Sequence, residues 1–287
     1  MAPSGTPPPV PVGMFDSGIG GLTVYKELMR HAPSVPVLYF GDTYHVPYGS
    51  RPLGQIRQFA LNAIDFLASR GAQVVAVACN VSSSVLTKAD IETAPVPVFG
   101  LVAGGAQHAV NLSRSGKIGV IATEATIKSG SYQREITVRR TDALVVAVPS
   151  PKLVPLIEEG QRDTDAVYAA CREYLEPIKA AGCDTVVHGC THYPLLQDAL
   201  SEIAGPGITF VDPAAYLAVD IVEHLFSISA NDYKREGGVA PSRVFLSKHS
   251  ESFVENGSAY LGFDLAPLIE IQNINAGIAA NWEARVG

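Results

Sequence analysis

The chain has 287 residues and a formal charge of −7, from 21 Lys and Arg against 28 Asp and Glu. Hydrophobic residues make up 47% and charged residues 17%, which excludes a disordered chain and leaves one large or two ordinary domains, with two expected. Phosphate recognition needs clustered Lys and Arg, and no such run is present, so no direct nucleic-acid binding is expected and a small molecule is the expected partner. No stretch is apolar long enough to span a bilayer, and Met1-Ala2-Pro3-Ser4 lacks the basic and apolar regions of a signal peptide. A cytoplasmic protein without membrane contact is expected.

Residues 1–9 are rich in Pro and read as a flexible tail. From Val10 onward, short β-branched runs alternate with longer amphipathic stretches, the pattern of parallel strands joined by helices. Strands are predicted at Val10–Phe15, Val35–Phe40, Gln73–Ala78, Val96–Gly100, Lys117–Ala122, Ala143–Val148, Thr185–His188 and Ile208–Val211. Helices are predicted between most of them, among them Leu22–His31, Gly54–Arg70 and Asp163–Ala181.

Two parts of the chain echo one another. VVAVACNVSSSVL (74–86) and TVVHGCTHYPLL (185–196) both run from a β-branched strand through a cysteine and a polar residue into the start of a helix. VPVGMFDSGIGGLTV (10–24) and GKIGVIATEATIKSG (116–130) form a weaker pair, each a strand ending in hydroxyl or carboxylate residues. The predicted fold class is therefore α/β: two similar lobes with mainly parallel sheets and the active site in the cleft between them. The first lobe is assigned to 10–100 plus 211–287 and the second to 101–210. Ligands of open parallel sheets bind beyond the carboxyl ends of the strands, where both cysteine motifs fall.

The four cysteines (Cys79, Cys171, Cys183, Cys190) match no C-x-x-C spacing, which disfavours a thiol oxidoreductase or a Cys-based metal site. Cys79 and Cys190, each at a predicted helix N-terminus, are candidate acid/base thiols, since the helix dipole favours a thiolate usable near neutral pH. A free cysteine is otherwise a small buried hydrophobe, the reading kept for Cys171 and Cys183. Asp16-Ser17 precedes Gly18-Ile19-Gly20-Gly21, glycines that would let backbone approach a ligand; the run is not a dinucleotide fingerprint, and Asp16 could equally cap the next helix. Pro47-Tyr48-Gly49 forms a turn whose aromatic could close over a ligand. His192, two residues after Cys190, could relay a proton. Thr123 and Thr126 could bind a carboxylate or cap a helix.

In order, FDSGIGGLTV (15–24), VPYG (46–49), ACN (78–80) and GCTHYPLL (189–196) resemble the glutamate racemases of the aspartate/glutamate racemase superfamily, over nearly the whole stretch from Gly13 to Asp212. The resemblance implies interconversion of L- and D-glutamate without any cofactor or metal, supplying D-glutamate for peptidoglycan in the bacterial cytoplasm. It also implies a homodimer. By the same resemblance Cys79 and Cys190 are the catalytic pair, with Asp16 assisting Cys79 and His192 assisting Cys190. Asp16, Ser17, Pro47, Tyr48, Gly49, Asn80, Val81, Thr123, Thr191 and His192 line the substrate site, and Glu158 stands close to the second cysteine. Three positions depart from the family pattern: Val81 replaces a threonine, Ser150 a cysteine, and SKHSESF (247–253) a Thr-Gly-rich segment. The alternatives are a racemase for aspartate or another acidic amino acid, which pocket size would decide, and a gyrase-binding protein with reduced racemase activity.

Overall fold

The computed structural model describes residues 10–228 and 242–272. The Pro-rich segment 1–9 lies outside the described residues. Two all-parallel sheets form the frame. The first contains β1 (Val12–Asp16), β2 (Val37–Gly41), β3 (Val74–Val77) and β4 (Val98–Gly100); the second contains β5 (Lys117–Ala122), β6 (Leu144–Pro149), β7 (Thr185–Gly189) and β8 (Thr209–Val211). The chain then returns to the first sheet for β9 (Arg243–Leu246) and β10 (Ile269–Ile271), giving the orders β10-β9-β2-β1-β3-β4 and β6-β5-β7-β8.

Helices separate the strands. In the first stretch they are α1 (Leu22–His31), α2 (Leu53–Ser69), α3 (Asn80–Val85) and α4 (Lys88–Glu92). Then come α5 (Leu101–Leu112), α6 (Glu124–Ser129), α7 (Ser131–Arg139), α8 (Leu153–Glu158), α9 (Asp165–Ala180) and α10 (Gln197–Ala204), followed by α11 (Pro213–Ser227) and α12 (Glu251–Leu261). The central strands β1, β2, β3 and β7 are buried at every position, as expected where helices cover both faces of a parallel sheet. One face of the first sheet buries Met14, Tyr39, Leu28 and Leu217, and the other Phe15, Phe40, Ile56 and Leu67. The edge strand β6 is largely half-exposed.

All eight predicted strands occur, Lys117–Ala122 with the predicted ends and the others with shifted ones. The strand predicted from Val10 begins instead at Val12. Pro11 has no N–H for the ladder, although its carbonyl still accepts from the Gln73 N–H at 2.9 Å. The same strand runs one residue further, to Asp16, whose carbonyl accepts from the Asp42 N–H at 3.0 Å. β9 and β10 were not predicted. Both are short, and β10 lies at the sheet edge, where the half-buried IEI carries no clear alternation.

The chain passes between the sheets twice, at β4 to α5 and at β8 to α11. The two crossings touch: a Cβ added to Gly105 on α5 would meet Pro213 Cγ at 2.9 Å. Asp212 caps α11 by accepting from the Ala214 N–H, with Pro213 in the first turn. Among the described residues no helix is long and apolar enough to cross a membrane.

Candidate active site

A cavity of about 400 Å³ opens between the carboxyl ends of the two sheets. Ser17, Pro47, Tyr48, Gly49, Cys79, Asn80 and Val81 line it from the first, and Thr123, Glu158, Cys190, Thr191 and His192 from the second. Asp16 lies buried behind this lining. The structure thus gathers the residues expected to form the substrate site around one space.

Asp16 ends β1. Its Oδ1 accepts from the Gly18 N–H at 2.6 Å, and Thr191 Oγ1 donates to its Oδ2 at 3.4 Å from the opposite sheet. Helix α1 begins six residues later with Gly21 as its cap, so the alternative reading of Asp16 as that cap is corrected: the glycine run carries the chain away before the helix starts. Burial raises the Asp16 carboxyl to about 6, against the lowering influence of His192. Tyr39, under this loop, donates to the Gly18 carbonyl at 2.7 Å. Gly20 makes room for a neighbouring side chain: a Cβ there would stand 2.2 Å from Thr191 Oγ1 and 2.7 Å from His192 Nδ1.

Cys79 precedes α3, and its thiol donates to Ser17 Oγ at 3.8 Å. The sequence favours a thiol made acidic by the helix terminus, and the structure corrects this. Burial and the nearby Asp16 carboxylate push the thiol up to about 12, so a single short helix does not outweigh desolvation. Cys190 precedes a 3-10 turn (Tyr193–Leu196) rather than an α-helix. Its Sγ is 3.8 Å from His192 Nδ1, and His192 Nε2 is 2.6 Å from Glu158 Oε1. Burial alone would lower the His192 value, but the hydrogen bonds to Cys190 and Glu158 raise it to about 10. The same contact holds Glu158 low against its own burial, with Arg162 adding to the effect.

This triad predicts a pH effect on stability. A histidine raised from 6.5 to about 10 stabilises the fold fully below pH 6.5, and that contribution is lost as pH rises through 10. Thermal melts between pH 6.5 and 10 are expected to show a falling midpoint, and His192→Asn a flatter one; parallel curves would contradict the pairing.

The VPYG turn is held from outside the cavity by Asp42, which sequence reasoning missed although it opens the motif DTYHVPYG. This buried carboxylate accepts from Tyr48 Oη at 2.6 Å and Ser247 Oγ at 2.7 Å, with His45 Nδ1 at 2.8 Å. Ser247 belongs to the divergent SKHSESF segment, whose Ser250 caps α12. Across the cavity the Gly49 carbonyl accepts from the Ala125 N–H at 3.1 Å. Thr123 caps α6, accepting from the Thr126 N–H at 3.4 Å, and also lines the cavity. Asn80 Oδ1 accepts from Tyr132 Oη at 2.5 Å. Ser150 is buried and its carbonyl accepts from Tyr193 Oη at 2.9 Å. Pro151, Val154 and Pro155 form an apolar wall that no local signal marked. Cys171 and Cys183 are buried away from the cavity, as their reading as structural thiols expects.

The arrangement offers proton donors and acceptors on both sides of one space, and among the described residues no group of three or more His, Cys, Asp or Glu could hold a metal ion. The Asp/Glu/Hydantoin racemase family profile matches residues 19–221. The glutamate racemase of Desulforudis audaxviator is 41% identical over 264 residues, covering 91% of this chain and 97% of its own. The crystal structure of glutamate racemase from Francisella tularensis in complex with D-glutamate superposes with a TM-score of 0.84 at 29% identity, covering 93% of this chain and 99% of that one. The Escherichia coli glutamate racemase, in complex with L-glutamate and the activator UDP-MurNAc-ala, gives 0.75 at 28%, covering 92% and 98%. With this match over nearly its whole length, the chain belongs to the glutamate racemases of the Asp/Glu/hydantoin racemase family and is an isomerase.

Proposed function

We propose that the protein interconverts L- and D-glutamate by a cofactor-independent two-base mechanism, supplying D-glutamate for peptidoglycan synthesis in the cytoplasm. The observation that carries this reading is the pair of thiols, Cys79 and Cys190, lining one cavity from the ends of different sheets. Inversion at an α-carbon requires a proton to leave one face and another to arrive on the opposite face, so two groups must flank the carbon. From L-glutamate, the Cys190 thiolate takes the α-proton and the Cys79 thiol delivers its own to the other face. From D-glutamate the roles reverse. His192 exchanges protons with Cys190, Asp16 resets Cys79, and Glu158 holds the imidazole. Backbone N–H groups around the strand ends stabilise the carbanionic intermediate as fixed dipoles.

The division of strands between the sheets supports a first lobe of 10–100 plus 211–287 and a second of 101–210, save that Val211 still pairs in the second sheet. It places each cysteine on its own lobe. The test is to incubate the protein with L- and, separately, D-glutamate in deuterated buffer without added cofactor, following optical rotation and α-deuterium by mass. Loss of rotation from both enantiomers is expected, with deuterium in the inverted product and little in recovered substrate at early times. Turnover of aspartate but not glutamate would move the substrate assignment. No turnover of any acidic amino acid, together with direct gyrase binding, would replace the reading.

A further inference from the structure

Tyr132 sits in the first turn of α7 and is fully buried, outside the cavity lining. Its hydroxyl crosses to the other sheet's cysteine motif and donates to Asn80 Oδ1 at 2.5 Å. Burial pushes the phenol well above its ordinary value, so it keeps its proton, and a buried O–H must find an acceptor. Among the described residues the acceptor it finds is Asn80 Oδ1.

An amide can be turned either way, and two observations select one. A separation of 2.5 Å belongs to O–H···O geometry and is shorter than the range of N–H···O bonds. With the amide reversed, Nδ2 would donate to the phenol oxygen and the phenol proton would be left without an acceptor inside the protein. The chosen orientation leaves Nδ2, which has no protein partner among the described residues, as the part of the amide free to face the cavity that Asn80 lines. Its two N–H donors suit an anionic oxygen and not an ammonium group. We propose that Tyr132 is a positioning residue that fixes the amide orientation of Asn80, so that the site presents donors to a substrate carboxylate. This rests on the glutamate reading above.

The test is a double-mutant cycle. Tyr132→Phe is expected to lower kcat/KM for glutamate about tenfold, chiefly through KM, and to change it by less than about twofold in an Asn80→Ala background. The same loss in both backgrounds would show a merely structural tyrosine and overturn the proposal. Asn80→Asp keeps an oxygen for the phenol and replaces the donors with a second oxygen, so a loss of about a hundredfold or more is expected without a lower melting temperature. Near-native activity of that variant would overturn the proposal even where Tyr132→Phe does not fold. If the native protein does not turn over glutamate, the proposed function fails on its own. The cycle then reads the Kd of glutarate, a dicarboxylate with no amino group: about tenfold weakening that vanishes in the Asn80→Ala background upholds the role of Tyr132, and no weakening overturns it.

Discussion

Cys79→Ser and Cys190→Ser are each expected to cut racemisation by about 10²–10⁴-fold, since an alcohol replaces a thiol in a proton transfer that nothing else on that face performs. The loss must be equal in the two directions. Enantiomers have equal free energies, so kcat/KM for L- and D-glutamate is the same in any variant. The identity of each base therefore has to be read from isotope exchange. With Cys79 replaced, Cys190 still reaches the α-proton of L-glutamate but cannot complete inversion, and deuterium is expected to enter L-glutamate with retention. Cys190→Ser is expected to exchange D-glutamate in the same way. Exchange of the same enantiomer by both variants would reverse or abolish the assignment, and racemisation above a tenth of the native rate in either would remove that thiol from the chemistry.

Gly20→Ala is expected to lower kcat about a hundredfold and the melting temperature by several degrees. Its added methyl carbon would lie 2.2 Å from Thr191 Oγ1 and 2.7 Å from His192 Nδ1. His192 has little room to retreat, because its far nitrogen is held at 2.6 Å by Glu158. The accommodation then falls on the spacing between the β1 loop and the segment that carries Cys190, and a misplacement of about 1 Å between reacting groups costs on the order of 10² in rate. Gly20 is not among the positive-φ glycines, so the effect is one of distance and not of backbone strain. Steady-state rates with thermal melts decide it: activity within threefold of native would show that the two segments are not held at this spacing during turnover.

The central strands were legible because β-branched runs such as VVAV and TVVHG are buried on both faces, and their ends marked where ligands bind. The two cysteine motifs could be found because each reads locally as strand, thiol, turn. What the sequence concealed depends on contacts between distant segments. The upward shift of Cys79 comes from burial and from Asp16, 63 residues away, so a helix-terminus argument pointed the wrong way. Tyr132 meets Asn80 across 52 residues, and Ser247 meets Asp42 across 205. The SKHSESF segment, which by resemblance was only a departure, supplies both that serine and the cap of α12. Pro151, Val154 and Pro155 carry no chemistry of their own and became part of the site only through the placement of α8.

The paired crossings at Gly100–Leu101 and Val211–Pro213 have a mechanical consequence. A body attached at one point can swing and twist in any direction, whereas two adjacent attachments, packed together through Gly105 and Pro213, leave chiefly rotation about the line joining them. Rotation along that single arc would change the separation of the sheet ends and their tilt together. Any movement along that arc would carry Cys79 and Cys190 together, which ties the spacing of the two thiols to the place where the chain crosses between the sheets.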